Sequence, residues 1–324
     1  MSIRVAVIGA GHHGQHHIRI ISTLPGVELV AVVDQDPTRA QTIAALSGVR
    51  FFCDAAAVLD RVDAVIVATP TDVHGQVALP FLRTGVAVLV EKPLAYSLEE
   101  ADLLIDAAQA SGAILAVGHS ERFNPALAAV AHAIADPRFL EVHRLGTFPQ
   151  RSLDIDVIYD LMIHDLDLVL SIVRSPVQSI EAVGVAVLTP RIDIANARLR
   201  FVNGCIANLT ASRISRDRVR KLRIFQQAAY ISIDFAAQAA QHWRLVRAAG
   251  DAAPTIQGEP LDIAPEEPLK RELIDFTSAV AGHRSPLVTG EDGRRALDLA
   301  DQITARIAME QGDVLVLPEE YSHR

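Results

Sequence analysis

The chain has 324 residues, half of them hydrophobic but only 5% aromatic, and a formal charge of −9 at pH 7. That length suits two domains of ordinary size, and the acidic balance argues against a nucleic-acid binder, which needs a basic excess. Mean hydropathy is positive, yet no uninterrupted apolar run approaches bilayer-spanning length, so the apolar content reads as core.

Cys53 and Cys205 are far apart and are the only cysteines. They indicate a reducing compartment, the cytoplasm, with neither a disulfide framework nor a cysteine-rich metal site. The N-terminal residues run directly into a strand without the charged and apolar regions of a secretion signal, in keeping with that expectation.

Residues 4–8 form a first strand that runs into Gly9-Ala10-Gly11-His12-His13-Gly14 and then a helix through Ile21. A strand before and a helix after make this GxGxxG specific: its glycines let the backbone approach a pyrophosphate at the helix N-terminus. His12, His13, His16 and His17 crowd this turn and helix and are expected to line it, although a His-rich tract can also bind metal. A second strand, 28–33, ends in Asp34, 20 residues after the last glycine of the motif. A carboxylate there accepts from the adenosine ribose and repels a 2′-phosphate, so NAD is expected over NADP. Arg39 leaves room for NADP.

Helix and strand continue to alternate. A helix from Asp36-Pro37 to about Leu46, a strand at 49–52, a helix from Asp54, a strand at 63–68 and a helix over 74–84 follow one another. Thr69, Pro70 and His74, after the fourth strand, are expected to border the cofactor, though Thr-Pro-Thr-Asp is also an ordinary helix start. A fifth strand, 86–90, ends in Glu91-Lys92-Pro93. Ligands bind at the carboxyl ends of such strands, and a charge placed there is costly unless something pairs with it or uses it. The Lys92–Pro93 bond is a candidate cis peptide. A helix over 94–111 carries a capping box, Ser97 with Glu100, and a sixth strand spans 113–119.

After residue 120 the pattern changes to helices at 124–135 and 157–173 and strands at 141–148, 179–188, 195–202, 205–212, 218–226, 230–235 and 243–247. Asn203-Gly204 marks a hairpin. Polar–apolar alternation in several strands predicts an antiparallel sheet with one open face. Residues 250–268 read as a loop, and helices at 269–281 and 291–311 finish the chain. The fold class is therefore α/β: a doubly wound Rossmann domain over 1–120, then an α+β domain over 121–324 with a large, mostly antiparallel open sheet.

Asp160 and His164 form a D-x-x-x-H pair, one turn apart if 158–172 is helical. A carboxylate that orients an imidazole makes it a proton acceptor. The same spacing suits a solvated pair on a surface helix or a His capping its helix, and spacing alone does not choose. Asp160, His164, Asp165 and Asp167 are also zinc-ligand types. No fourth ligand motif supports such a site and hydride transfer to NAD needs no metal, so none is expected.

Taken together, Gly9-x-Gly11-x-x-Gly14 with His17, Ala68-Thr69-Pro70 with His74, Glu91-Lys92-Pro93 and Asp160-x-x-x-His164 resemble the glucose-fructose oxidoreductase, inositol dehydrogenase and rhizopine catabolism family (Gfo/Idh/MocA) over nearly the whole chain. The resemblance implies an NAD-dependent oxidoreductase acting on a sugar hydroxyl. Gly9, Gly11, His12, His13, Gly14, Asp34, Thr69, Pro70, His74, Glu91 and Lys92 would hold the cofactor. Lys92 would sit by the nicotinamide and the substrate hydroxyl, His164 would be the base and Asp160 would orient it. The open sheet would form a homodimer or homotetramer interface. Residues 117–125, Asp160-Leu161-Met162-Ile163-His164-Asp165 and 208–213 further resemble the bacterial UDP-N-acetylglucosamine 3-dehydrogenases. These oxidise the sugar C3 hydroxyl ahead of a pyridoxal-phosphate aminotransferase, in some bacteria towards lipid A. That resemblance makes Arg122, Asn124, Tyr159 and Arg213 candidate contacts to a nucleotide sugar, with structural ion pairing the alternative for the arginines. Other polyols, such as an inositol or an aldose, and a non-catalytic NAD sensor are the rival readings.

Overall fold

The computed structural model describes residues 2–148, 155–246 and 255–314. The chain divides into two compact units, one of residues 1–124 and 266–297, the other of residues 125–265 and 298–324. The expected single boundary near residue 120 thus differs from what is found, because the chain returns to its first unit after residue 265.

In the first unit β1 (Ile3–Ile8), α1 (His12–Ile21), β2 (Val27–Val33), α2 (Pro37–Ser47), β3 (Arg50–Phe52), β4 (Ala64–Val67), α3 (His74–Arg83), β5 (Ala87–Glu91), α4 (Leu98–Ser111) and β6 (Leu115–Gly118) alternate. The six strands are parallel in the order β3-β2-β1-β4-β5-β6. The order reverses beside β1, which places the glycine turn at the switch point where such sheets bind ligands. Strand β4 is buried along its whole length, as crossover helices on both faces require.

Local signals explain the helix ends. Asp36 caps α2 by accepting from the Thr38 and Arg39 amides at 2.9 and 3.1 Å. Ser97 caps α4 by accepting from the Glu100 amide at 3.2 Å, but Glu100 reaches the Tyr96 amide at 2.9 Å, so the return half of the expected capping box lands one residue earlier. The helix expected from Asp54 is a 3-10 stretch, Ala55–Arg61. The Lys92–Pro93 bond is cis. Helix α7, spanning Pro268–Gly282, inserts Leu273 and Phe276 into the same core cluster as Val5, Ile20, Ile66 and Leu89. Burying each such side chain contributes about 1.5–3 kcal/mol, which is the physical reason that α7 belongs with the first unit.

The second unit is built on an eight-stranded sheet. After α5 (Pro125–Val130), shorter than its predicted helix, come β7 (Pro137–Leu145), α6 (Ile163–Val173), β8 (Val177–Val185), β9 (Ile194–Phe201), β10 (Ile206–Ser212), β11 (Val219–Gln226), β12 (Ala229–Asp234), β13 (Ala239–Val246) and β14 (Thr255–Pro260). Their order is β14-β13-β12-β11-β7-β10-β9-β8, antiparallel except where β10 pairs with β7. Strand β14 falls within the expected 250–268 loop, where Pro, Gly and acids are frequent; as an edge strand exposed throughout, it needs no apolar face. The predicted 243–247 strand ends on residue 247, outside the described residues. In β9, buried Ala195, Ala197, Leu199 and Phe201 alternate with exposed Asn196, Arg198 and Arg200. The buried set packs with Leu166 and Val169 of α6 and with Leu299, Ile303 and Ile307 of α8 (Gly290–Val314). Among the described residues no helix is long and apolar enough to cross a membrane.

Asp193 locks the turn between β8 and β9. Its buried carboxylate accepts from the amides of Val187, Leu188 and Thr189 at 2.9, 2.7 and 2.9 Å and from Thr189 Oγ1 at 2.8 Å, and it pairs with Arg213 Nε at 3.4 Å. Burial by itself raises the carboxyl pKa; the bonds from Leu188, Thr189 and Val187 outweigh it and bring it to about 2. The folded pKa lies below the unfolded value of about 3.9. Asp193 therefore contributes stability above that unfolded value and loses it as pH falls towards 2. We expect Asp193→Asn to lower the thermal unfolding midpoint at neutral pH by an amount equivalent to about 2–3 kcal/mol. That gap should close between about pH 4 and pH 2, read by scanning calorimetry of both proteins across pH.

Candidate active site

In the first unit a cleft of about 860 Å³ opens along the carboxyl ends of β1, β2 and β4. Gly9, Gly11, His12, His13, Asp34, Arg39, Thr69 and Pro70 all line it. Gly9 has φ +94°, and a Cβ on Gly14 would stand 1.7 Å from the Gly9 carbonyl oxygen, so only glycines close this turn. A Cβ on Gly11 would meet nothing within 4 Å, which leaves the backbone open to an approaching group. Helix α1 starts here with no side-chain cap and no acid in its first turn, so free amides and the dipole face the cleft.

Asp34 accepts from the Ala10 amide at 2.8 Å and the Asp36 amide at 2.9 Å, and Arg39 Nη1 lies 3.3 Å from both carboxylate oxygens. The carboxylate thus pairs with the Arg39 guanidinium, which could have welcomed a 2′-phosphate, and it retains lone pairs for ribose hydroxyls. Thr69 Oγ1 is buried without a hydrogen-bond partner among the described residues. An anion cradle, a ribose acceptor and an orphaned hydroxyl in one cleft fit a dinucleotide.

Behind the cleft the expected cofactor residues divide. His74 is 1% exposed, with Nδ1 2.9 Å from the Pro93 carbonyl and Nε2 3.0 Å from the Thr69 carbonyl. It ties the β4 loop to the lysine turn instead of facing the cleft. Glu91 also turns inward: Oε1 accepts from His17 Nε2 at 2.7 Å and Oε2 from the Lys92 amide at 3.2 Å. Burial alone raises its carboxyl pKa; the His17 bond and the charges of His17, His13 and Lys92 outweigh it, and Glu91 stays ionised below the usual carboxylate range. His13 is lowered by burial, which the attraction of Glu91 only partly opposes.

Sequence reasoning passed over His119, which follows β6. It is 1% exposed and its pKa is lowered to about 3, by burial first and then by the charges of Lys92 and Arg122. Its imidazole is neutral at physiological pH. The available signal was its strand-end position, since Gly118 pairs in register with Glu91.

In the second unit the D-x-x-x-H pair sits where an unbroken α-helix was predicted. Residues Ile158–Met162 form a π-helical turn that runs into α6. Such turns are concentrated at functional sites because they swing side chains off the regular face. Asp160 and His164 are half-buried, whereas Met162, Ile163, Asp165 and Leu166 are fully buried. Asp165 makes a bidentate pair with Arg144 of β7, at 2.9 and 2.8 Å, which anchors α6 to the sheet next to His164. Arg144 and Asp165 lie 21 positions apart, so nothing local in the sequence announces the pair.

The candidate sugar-nucleotide contacts fare unevenly. Arg213 is 1% exposed, and its guanidinium is held by Asp193, by the Ile192 carbonyl at 3.0 Å and by the Ile155 carbonyl. The structure thus gives it the structural role, because the β8–β9 turn closes over it. Tyr159 donates its hydroxyl to Asp301 at 2.7 Å, and burial raises its pKa. Asn124 is buried, with Nδ2 3.3 Å from Glu121 Oε2, and Arg122 reaches the Leu287 carbonyl at 3.4 Å from a half-exposed position. Among the described residues no cluster of metal-ligating side chains forms.

Comparison with known proteins agrees with this geometry. Residues 3–119 match the model described as an oxidoreductase family with an NAD-binding Rossmann fold (GFO/IDH/MocA), and residues 131–232 match the GFO/IDH/MocA C-terminal domain. The chain is 40% identical over 309 residues to a UDP-N-acetylglucosamine 3-dehydrogenase of Acidithiobacillus ferrooxidans, covering 95% of this chain and 97% of that one. A crystal form of that enzyme superposes with a TM-score of 0.89 at 39% identity, over 95% and 99% of the two chains. A scyllo-inositol 2-dehydrogenase (NAD(+)) of Bacillus subtilis is 28% identical, covering 92% of each chain. A levoglucosan dehydrogenase in complex with NADH and levoglucosan, 20% identical over 96% and 98% of the chains with a TM-score of 0.85, shares the fold. From the glycine turn to the π-helical turn, the chain belongs to the GFO/IDH/MocA oxidoreductase family with its NAD-binding Rossmann fold.

Proposed function

We propose that this protein is an NAD-dependent dehydrogenase that oxidises the C3 hydroxyl of UDP-N-acetylglucosamine to the 3-keto sugar. The observation that carries this reading is the 40% identity, over 95% of the chain, to an enzyme named for that reaction. The inositol dehydrogenases match at lower identity over comparable length.

Bound NAD supplies the hydride acceptor. The glycine turn and the N-terminus of α1 would hold its pyrophosphate, and Asp34 would take the adenosine ribose. Lys92 hydrogen-bonds the reacting oxygen and stabilises negative charge as it develops. His164 takes the hydroxyl proton, and Asp160 orients its ring and supports the imidazolium. Arg122 is the remaining arginine candidate for the diphosphate, since Arg213 is committed inside its own unit.

The 3-keto product has the carbonyl that a pyridoxal-phosphate aminotransferase converts to an amine, and we assign the next step to such a partner, with lipid A the destination. The outward residues of the eight-stranded sheet, among them Arg198 and Arg200, suit a homodimer or homotetramer contact. The free thiols of Cys53 and Cys205 fit work in the cytoplasm.

A panel of UDP-N-acetylglucosamine, UDP-glucose, myo-inositol and free glucose, read as NADH absorbance, tests the substrate. UDP-N-acetylglucosamine should exceed the others in kcat/KM by at least about 100-fold, and equal or faster oxidation of inositol would reject it. Lys92→Ala and His164→Ala should each lower kcat by about 100-fold or more while NAD still binds in calorimetry. Wild-type turnover in both variants would reject the assignment.

A further inference from the structure

Glu272 of α7 is the most deeply buried acid of the first unit that the proposed chemistry leaves unused. It is 1% exposed, and neither Oε1 nor Oε2 has a hydrogen-bond partner among the described residues. On its own helix Leu273 and Phe276 lie in the apolar core, while α7 packs against α1, β1 and the short turn Ser120–Phe123 that follows β6. An ionised carboxylate in such a place, with no donor, is too costly to keep.

Among the described residues, the charged and titratable groups on the surrounding elements give Glu272 no hydrogen-bonding cation. From α1, His17 gives its Nε2 to Glu91, Arg19 pairs with Glu267, and the helix also carries His12, His13 and His16, of which His13 has its pKa lowered by burial. From β1, Arg4 is paired with Asp63 at 2.7 Å. His119, Glu121 and Arg122 follow β6, and Arg122 reaches the Leu287 carbonyl. Lys270, Arg271 and Asp275 share the helix of Glu272; Arg271 pairs with Glu266, and Asp275 with Arg284. The groups that act most on Glu272 are both negative, Glu91 and Asp275. After burial itself, they push its carboxyl well above the usual range.

Glu91, by contrast, has a place only for the charged form. His17 and the Lys92 amide occupy its two oxygens, and a Cβ on Gly118 would come within 3.0 Å of Oε2, so the carboxylate is walled in on the β6 side as well. Of the two glutamates, Glu91 has donors and keeps the charge, whereas Glu272 is buried with none among the described residues.

We propose that Glu272 is a positioning residue for the dehydrogenase reaction: it stores a proton behind Glu91, so that a single, fixed negative charge stands behind Lys92. This rests on the reading of Lys92 as the group that faces the reacting oxygen. When Glu272 loses its proton at alkaline pH, a second negative charge appears beside Glu91. Repulsion then disturbs the His17–Glu91 bond and the strand end that carries Lys92.

Glu272→Gln, which is neutral at every pH, isolates this role. Its turnover at neutral pH should stay within about threefold of wild type, and kcat should hold to a higher pH in Glu272→Gln than in wild type. Linkage gives a second sign. A carboxyl with a raised folded pKa stabilises the fold only below its unfolded pKa and weakens it as pH rises towards the folded value. The unfolding midpoint of Glu272→Gln should therefore exceed that of wild type by a margin that grows from acid to alkaline pH. In the infrared, wild type at neutral pH should show the carbonyl band of a protonated carboxyl that Glu272→Gln lacks. Superimposable pH–kcat profiles, a neutral-pH loss above threefold, or absence of the band from wild type would each overturn the proposal. Wild-type turnover in Lys92→Ala would instead overturn the functional reading alone, since the infrared band reports on Glu272 whatever Lys92 does.

Discussion

The hydrogen bond between His17 and Glu91 joins the two halves of the first unit's chemistry. His17 lies on the helix that begins at the glycine turn, and Glu91 ends the strand that carries Lys92. At 2.7 Å, with the His17 side chain 0% and the Glu91 side chain 14% exposed, the bond is largely shielded from water, which strengthens it. It ties the helix that faces the cofactor cleft to the residue next to the lysine, so neither can shift without the other. His74 supplies a parallel tie from the β4 loop to Pro93. The cleft and the strand end are thus parts of one braced structure.

The second unit solves a different mechanical problem. His164 sits on a helix that must present a polar face without drifting from the sheet beneath it. Apolar packing of Leu166 and Val169 holds the helix in place but permits rotation; the bidentate Arg144–Asp165 pair sets its angle. A buried pair of this kind adds little net stability over a hydrophobic isostere, and its value lies in geometry. The π-helical turn ahead of it then offsets Asp160 from the regular helical face. Asp193 and Arg213 do comparable work for the turn between β8 and β9, which is why an arginine that looks like a phosphate ligand is buried instead.

Burial reverses the roles of otherwise similar residues throughout. Glu91 and Glu272 are both glutamates of the first unit, yet one holds donors from His17 and the Lys92 amide, while the other, 1% exposed, has none among the described residues and has its pKa raised by burial. His17 and His119 are both hidden imidazoles; one answers a carboxylate, and the other is kept neutral by burial and by nearby cations. Residue type alone predicts none of this, because each outcome depends on which partner the fold delivers.

What the sequence determined by itself is what short-range spacing encodes. Period-two and helical patterning located most of the strands and helices, and glycines at fixed offsets from Asp34 identified a dinucleotide turn. The motifs ending in Lys92 and His164 identified the family. Each rests on residues within a few tens of positions whose geometry follows from backbone rules. Only the tertiary structure decided the return of α7 to the first unit, the edge strand β14, the π-helical turn, the burial of Arg213 and the pairings of Arg144 with Asp165 and His17 with Glu91. Those outcomes depend on contacts between residues far apart in the chain and on the loss of water around them. Desolvation, not local propensity, sets which charges survive and where they point.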